Sequence, residues 1–237
     1  MEARQTVLLD DMLRGVELCI FDVDGTLLDS MPFWRDLDER FLASRGLEGT
    51  ADYYEALRHL RLAEAAEYTR TYYHLEESRE SIIGAWMGLA RSAFAGEIGL
   101  KPGVLEILAE LRHRGLTCCV LTANERALVD LAFARHGIAD YFRHCYIASE
   151  EAWPKTEAEL WRSLVEREGR GLGSCLVFED SLYSLRAAQR AGLRVAAIYE
   201  ASAEATWAQV CAEADWSFVD YRELMLQAPC PGSPSQL

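Results

Sequence analysis

Lysine is almost missing from this chain of 237 residues. Lys101 and Lys155 are the only two, so nearly all of its positive charge is arginine. Against that scarcity a lysine placed among acidic strand ends is a functional candidate, and Lys155 is so placed. Positive charge as a whole is also short, with Lys+Arg 24 against Asp+Glu 38 and a formal charge of -14. An acidic surface disfavours non-specific binding to nucleic acid and to anionic membranes. No C-x-x-C pair occurs among the seven cysteines, whose number is odd and most of which lie in apolar runs. They read as reduced core residues of a cytoplasmic protein. No apolar run is long enough to span a bilayer. The stretch Met1–Arg14 carries Asp10 and Asp11 among its apolar residues, which excludes a signal-peptide hydrophobic region. Internal repeats are absent too. Hydrophobic residues make up 50% of the chain, enough for one large domain or two small ones with a real core.

Helical spacing governs the chain from about Met31 to Leu100. Pro32-Phe33-Trp34 opens a run through Leu37, Phe41 and Leu42 that Gly46 ends; a second run extends from Tyr54 to Tyr73; a third covers Ile82 to Ala90. No strand-like alternation interrupts this stretch, which predicts a small all-helical insert. From Lys101-Pro102-Gly103 onward strands alternate with helices. Strands are expected at Thr117–Leu121, Cys145–Ala148, Cys175–Phe178, Arg194–Ile198 and Ser217–Val219, after a first one at Leu18–Phe21. That order argues for right-handed βαβ units: an α/β fold with a doubly wound, Rossmann-like parallel sheet. The expected organisation is a core of residues 1–29 and 99–227, a helical cap of residues 30–98 inserted after the first strand, and a disordered tail of residues 228–237.

The chemistry gathers at the strand ends. Phe21-Asp22-Val23-Asp24-Gly25-Thr26 places two carboxylates two residues apart just after an apolar strand. Residues i and i+2 of a strand share a face, so both can reach one spot in the crevice beyond the sheet. Two carboxylates forced together repel unless a cation or a shared proton offsets the charge, so the segment asks for a metal, an acid–base pair, or both. Another strand ends at Thr122, within Leu121-Thr122-Ala123-Asn124, and another at Glu179-Asp180-Ser181. Lys155 precedes a helix in Trp153-Pro154-Lys155-Thr156. In a parallel sheet all these ends lie on one edge.

These residues in this order resemble the haloacid dehalogenase superfamily of aspartate-nucleophile phosphotransferases, subfamily I with a helical type 1 cap, the group of the phosphoglycolate phosphatases and beta-phosphoglucomutases. The resemblance covers nearly the whole chain. D-x-D-G-T is complete, and E-D-S followed by Ala187-Ala188-x-x-Ala191-Gly192 is the second specific motif; Thr122 and Lys155 are weak alone. Two departures are visible: Pro154 precedes Lys155 where the family often has Lys-Pro, and Ser184 stands where a glycine is common. The resemblance implies Asp22 as nucleophile, Asp24 as acid–base, and Thr26 as a hydrogen-bond partner of Asp24. It implies Mg²⁺ held by Asp22, the Asp24 carbonyl and Asp180, with Glu179 joining directly or through water. Thr122 and Lys155 would bind the phosphoryl group, Asn124 is a further substrate-binding candidate, and Lys155 would also offset the charge of Asp22. Met31, Trp34 and Arg35 are candidate cap contacts to the substrate, although Trp34 can equally pack the cap interior. Arg35, Arg58 and Arg61 are candidates for a second anionic group. Tyr53, Tyr54, Tyr68, Tyr72 and Tyr73 read as packing residues.

Asp24 argues for phosphoryl transfer over carbon–halogen cleavage, which needs no leaving-group acid. Phosphonate cleavage through a Schiff base needs a cap lysine, and there is none between Met31 and Leu100. The expectation is therefore a Mg²⁺-dependent phosphatase acting on a phosphomonoester of a small metabolite. A sugar-phosphate mutase of the beta-phosphoglucomutase type is the alternative. A signalling receiver domain is a poor match, because its acidic pair would not be followed by a large helical insert. An inactive binding protein is disfavoured by competent residues at all four motif positions. Neither the substrate nor the oligomeric state is legible.

Overall fold

In a computed structural model, described for residues 9–57, 60 and 62–225, the chain divides into two compact units. One is formed by Met1–Asp29 with Gly99–Leu237, the other by Ser30–Ile98.

The first unit is a six-stranded parallel sheet. Its strands are β1 (Leu18–Phe21), β2 (Thr117–Thr122), β3 (Cys145–Ile147), β4 (Cys175–Glu179), β5 (Arg194–Ile198) and β6 (Trp216–Phe218), in the order β3-β2-β1-β4-β5-β6. The order reverses between β1 and β4, which are neighbours with Phe21 beside Phe178. That reversal is the switch point where open α/β sheets leave a crevice at their carboxyl ends. The strands β1 and β4 are buried throughout, so they read as continuous apolar runs rather than alternating ones. Alternate residues Leu18 and Ile20, Cys119 and Leu121, and Cys175 and Val177 pack on one face against Trp161, Leu164, Leu185 and Ala188. From the other face, Phe21 stacks on Phe178 with ring centroids 4.4 Å apart.

Helices complete this unit: α1 (Leu9–Met12) before β1, then, beyond the insert, α6 (Val104–His113), α7 (Arg126–His136), α8 (Ala158–Arg167), α9 (Leu182–Ala191), α10 (Glu204–Glu213) and α11 (Arg222–Met225). Both α7 and α9 end at glycines in the left-handed region, Gly137 and Gly192. The strand at β4 runs one residue further than its apolar run, so Glu179 is its last residue rather than the first residue of a loop. Cys19, Cys118, Cys119 and Cys175 are buried free thiols as expected, whereas Cys211 is exposed.

The second unit is all helical among its described residues, with α2 (Met31–Ala43), α3 (Ala51–Leu57), α4 (Leu62–Tyr72) and α5 (Arg79–Gly96). The run expected from Tyr54 to Tyr73 is thus two helices rather than one. Phe41, Leu42, Tyr53, Ala66, Ile82 and Trp86 form its core. Tyr53 is fully buried, and its hydroxyl lies 2.8 Å from that of Thr69, whose own hydrogen goes to the Ala65 carbonyl. The tyrosine cluster does pack, with Tyr53 in ring contact with Tyr54, Tyr68, Tyr72 and Tyr73. The expected tail at 228–237, and Arg58 and Arg61, lie outside the described residues.

Candidate active site

Asp22 continues β1 by one residue, because its backbone N–H still donates to the Phe178 carbonyl of β4 at 3.0 Å. The chain then turns sharply. Gly25 takes φ 77°, a left-handed conformation that costs glycine little. The Leu27 and Leu28 N–H groups both return to the Val23 carbonyl, at 2.9 and 2.8 Å. The turn buries Thr26, whose hydroxyl donates to Asp180 Oδ1 at 3.4 Å and so ties the first strand's loop to the fourth's. On β4, Glu179 Oε1 accepts the Ser181 N–H at 3.0 Å, which holds the start of α9 against the strand end.

Three carboxylates meet here. Asp22, Glu179 and Asp180 are all buried and each offers an oxygen within 4.8 Å of the others. Lys155, also buried, donates to Asp22 Oδ1 and lies 2.7 Å from Glu179 Oε2. The Lys155 carbonyl accepts the indole N–H of Trp161 at 2.9 Å, and Trp161 belongs to the sheet–helix core. The packed interior thereby sets where the ammonium emerges. Burial alone would lower the Lys155 pKa, but Asp22 and Glu179 outweigh it and raise it above the ordinary lysine value. Burial pushes Glu179 up to about 7, with Asp22 adding to the rise and Lys155 opposing it. Burial, then Glu179 and Asp22, hold Asp180 well above the usual carboxylate range. The cause is simple: three acids share one ammonium, and buried uncompensated charge is costly. An all-oxygen, acid-rich set with two charges to neutralise fits a hard divalent cation such as Mg²⁺.

On the other side of β1, Thr122 closes β2 and is fully buried. Its Oγ1 accepts the Asn124 N–H at 3.0 Å, so its hydroxyl hydrogen is left to donate elsewhere. The Asn124 side chain accepts the Glu125 N–H at 2.7 Å and donates to Asp24 Oδ2 at 2.8 Å. Asn124 is thus a bracket between the end of β2, the start of α7 and the second aspartate of D-x-D. Sequence reading placed Asn124 at the site but carried no signal for this partner, which lies 100 residues away. It likewise missed the Trp161–Lys155 contact and the bond from Thr26 to Asp180. Trp34 and Arg35 belong to the helical unit, where the Trp34 ring packs against Phe33 and Phe94 and Arg35 Nε pairs with Asp36 Oδ1 at 2.8 Å.

Residues 19–198 match the sequence model of the haloacid dehalogenase-like hydrolases. The chain belongs to that family. Protein CbbY of Cupriavidus necator (plasmid-encoded) is 30% identical over 193 residues, covering 75% of this chain and 76% of its own. The phosphoglycolate phosphatase of Agrobacterium fabrum is 25% identical over 182 residues, 74% of this chain and 77% of its own. In fold, the crystal structure of a candidate beta-phosphoglucomutase from Thermotoga maritima superposes with a TM-score of 0.78 at 21% identity, covering 89% of this chain and 98% of that one. The expected fold class, a Rossmann-like parallel sheet with flanking helices, is borne out. So is the expectation of a haloacid dehalogenase-like enzyme of the phosphatase group.

Proposed function

We propose that this haloacid dehalogenase-like hydrolase is a Mg²⁺-dependent phosphatase that releases phosphate from a phosphomonoester of a small metabolite through an aspartyl-phosphate on Asp22. The observation that carries this reading is the buried cluster of Asp22, Glu179 and Asp180 against Lys155 at the switch point of the sheet. Such a cluster suits an incoming phosphate ester, which is itself anionic, only if cations share the site. The phosphatases among the curated relatives support the same reaction class.

Asp22 is the nucleophile. The attached Lys155 offsets the repulsion between the Asp22 carboxylate and an approaching anion. Asp24 protonates the leaving alkoxide and then takes a proton from the attacking water. The free hydroxyl hydrogen of Thr122 meets a phosphoryl oxygen. The metal would be held by the Asp22 carboxylate, Asp180 and the Asp24 backbone carbonyl. Glu179 Oε1 accepts the Ser181 N–H, while its buried Oε2, 2.7 Å from the Lys155 ammonium, has no hydrogen-bond partner among the described residues and would join the metal directly or through water. When bound, Mg²⁺ would supply positive charge that offsets the charge of the phosphoryl group. Trp34 and Arg35 are proposed as substrate contacts from the insert. The proposed setting is cytoplasmic, on the strength of the buried free cysteines; among the described residues no helix is long and apolar enough to cross a membrane.

Asp22→Asn is expected to abolish turnover of 4-nitrophenyl phosphate while the circular-dichroism spectrum stays unchanged. Near-wild-type activity in that variant would remove Asp22 as nucleophile. EDTA is expected to abolish activity and Mg²⁺ to restore it; activity indifferent to chelation counts against the metal. Assaying free phosphate alongside isomerised product, with sugar phosphates as substrates, separates hydrolysis from mutase chemistry. Isomer without phosphate release would overturn the hydrolase reading.

A further inference from the structure

A cavity of about 300 Å³ opens at the amino-terminal edge of the sheet, between the end of α6, the start of β2 and a turn of 3-10 helix at Ala139–Tyr141. Its lining includes Thr117, the first residue of β2, whereas Thr122 of the candidate active site ends the same strand. At the usual rise of a strand the two lie about 16 Å apart, so this cavity is separate from the active site. Two arginines, Arg112 and Arg143, and one carboxylate, Asp140, belong to the lining. Arg112 is held in place: its guanidinium lies over the Tyr141 ring, 3.6 Å from the centre, and donates to the Asp140 carbonyl at 2.7 Å. Arg143 is anchored through its backbone, whose N–H donates to the Cys118 carbonyl at 2.8 Å. Neither guanidinium forms an ion pair with a carboxylate among the described residues. Arg114, two residues on from Arg112, instead holds both Asp10 and Glu110, at 2.6 and 2.7 Å. In a chain with 38 acidic residues against 24 basic ones, two arginines left over at one cavity ask for a partner from outside.

We propose that this cavity is a second ligand site, which takes the phosphate group of a small phosphorylated metabolite or inorganic phosphate itself. The proposal does not depend on the reaction assigned to Asp22. A guanidinium presents its N–H donors in a rigid planar fork. A carboxylate offers two oxygens, which one fork fills; a phosphate group offers three or four and can be met by two forks at once. Two guanidiniums against the one carboxylate of Asp140 leave the lining positive on a molecule of formal charge -14, so an anion is drawn here rather than to the surrounding surface. The stack on Tyr141 orders Arg112 before a ligand arrives, so little side-chain freedom is lost on binding. Leu108 and Leu116 supply an apolar part of the lining, and the volume is at the lower end of ordinary small-molecule sites. That leaves room for a short organic body beside the phosphate group.

The test is an NMR titration of the full chain that follows individual backbone amides, with EDTA present so that no divalent cation draws phosphate to the acidic cluster. The probes are inorganic phosphate and phenylphosphonate, which adds an apolar body and has no ester bond to hydrolyse. Benzoate tests the alternative anion, and sodium chloride at matched ionic strength controls for screening. Saturable shifts are expected at the amides of Thr117, Tyr141 and Arg143. Arg112→Ala and Arg143→Ala are each expected to raise the dissociation constant about ten-fold or more. Arg143→Gln keeps most of the bulk without the charge and carries the test if an alanine variant does not fold. Tighter binding of phenylphosphonate supports the site with a phosphate ester as its occupant, and tighter binding of inorganic phosphate supports it with the free ion. Shifts confined to Thr122 and Asn124, equal shifts from sodium chloride, or an unchanged dissociation constant in the arginine variants would overturn the site. Tighter binding of benzoate than of either probe would overturn its assignment to phosphate.

Discussion

Burial decides the behaviour of single carboxyl groups here, and not only in the acidic cluster. In the helical unit, Asp38 stands on α2, and burial pushes it up to about 6 from an ordinary value of 3.8. A carboxyl group whose folded pKa exceeds its unfolded one binds its proton more tightly in the native state. The stability it contributes is full below pH 3.8 and is lost as pH rises through 6. Asp38→Asn should therefore raise the midpoint of thermal unfolding at pH 7.5 and leave it almost unchanged at pH 3.5. Asp38 keeps some contact with solvent, so the gain at pH 7.5 is on the order of 1 kcal/mol, well below the full value of the shift. Differential scanning calorimetry at the two pH values checks it; an equal change at both would mean that the charge of Asp38 is not the cause. In the core the same penalty is met differently. Glu179 and Asp180 are raised by burial but sit against an ammonium and a proposed cation site.

At the scale of elements, the two lysines share a design. Lys155 emerges before α8 to meet β4 and the loop after β1; Lys101 lies where the chain re-enters the core and meets the end of β5. There the Lys101 ammonium is 2.9 Å from Glu200 Oε2 and 2.9 Å from the Tyr199 carbonyl, with both charged side chains buried. Its backbone N–H donates to the Leu27 carbonyl at 2.9 Å, next to the bridge between Leu28 and Leu100. Lys101 therefore binds the returning chain to the loop after β1 and to β5 together. Removing one partner strands a buried charge, so Lys101→Met is expected to cost about 3–5 kcal/mol in urea unfolding at pH 7. Adding Glu200→Gln removes the stranded charge and keeps an acceptor for the Ser202 N–H, which Glu200 Oε1 holds at 3.1 Å. That double variant should recover much of the loss. A neutral Lys101→Met would show that the pair contributes nothing.

The contrast between these lysines shows what a linear reading can reach. The strands were legible because burial on both faces writes them as apolar runs, and the strand-end acids were legible because they follow those runs directly. Lys155 stood out because lysine is rare and because it precedes a helix beside a motif. Lys101 is equally rare, but its partner comes 99 residues later and carries no local mark. The same holds for Asn124 and Asp24. Local pattern also missed the break between α3 and α4, because helical spacing continues across it.

At the scale of the whole molecule, the insert is spliced between residues that already touch. The Asp29 N–H donates to the Gly99 carbonyl at 3.0 Å, so the core closes on itself where residues 30–98 leave and return. Asp22, Asp24, Thr122, Asn124, Lys155, Glu179 and Asp180 all belong to the core unit, and the insert has its own hydrophobic cluster. Metal binding and substrate choice should therefore be separable. Replacing residues 30–98 by a short Gly-Ser turn is expected to leave a core that unfolds cooperatively. A ligand that binds only the native state stabilises it by about 2.7 kcal/mol when present at a hundred times its dissociation constant. The core-only variant should accordingly show an upward shift in thermal midpoint with Mg²⁺ comparable to that of the full chain, and Asp180→Asn should reduce the shift in both. Its hydrolysis of different phosphate esters should become less selective, since every candidate contact in the insert is gone. A core that folds but no longer responds to Mg²⁺, while the full chain does, would show that the insert helps to build the metal site.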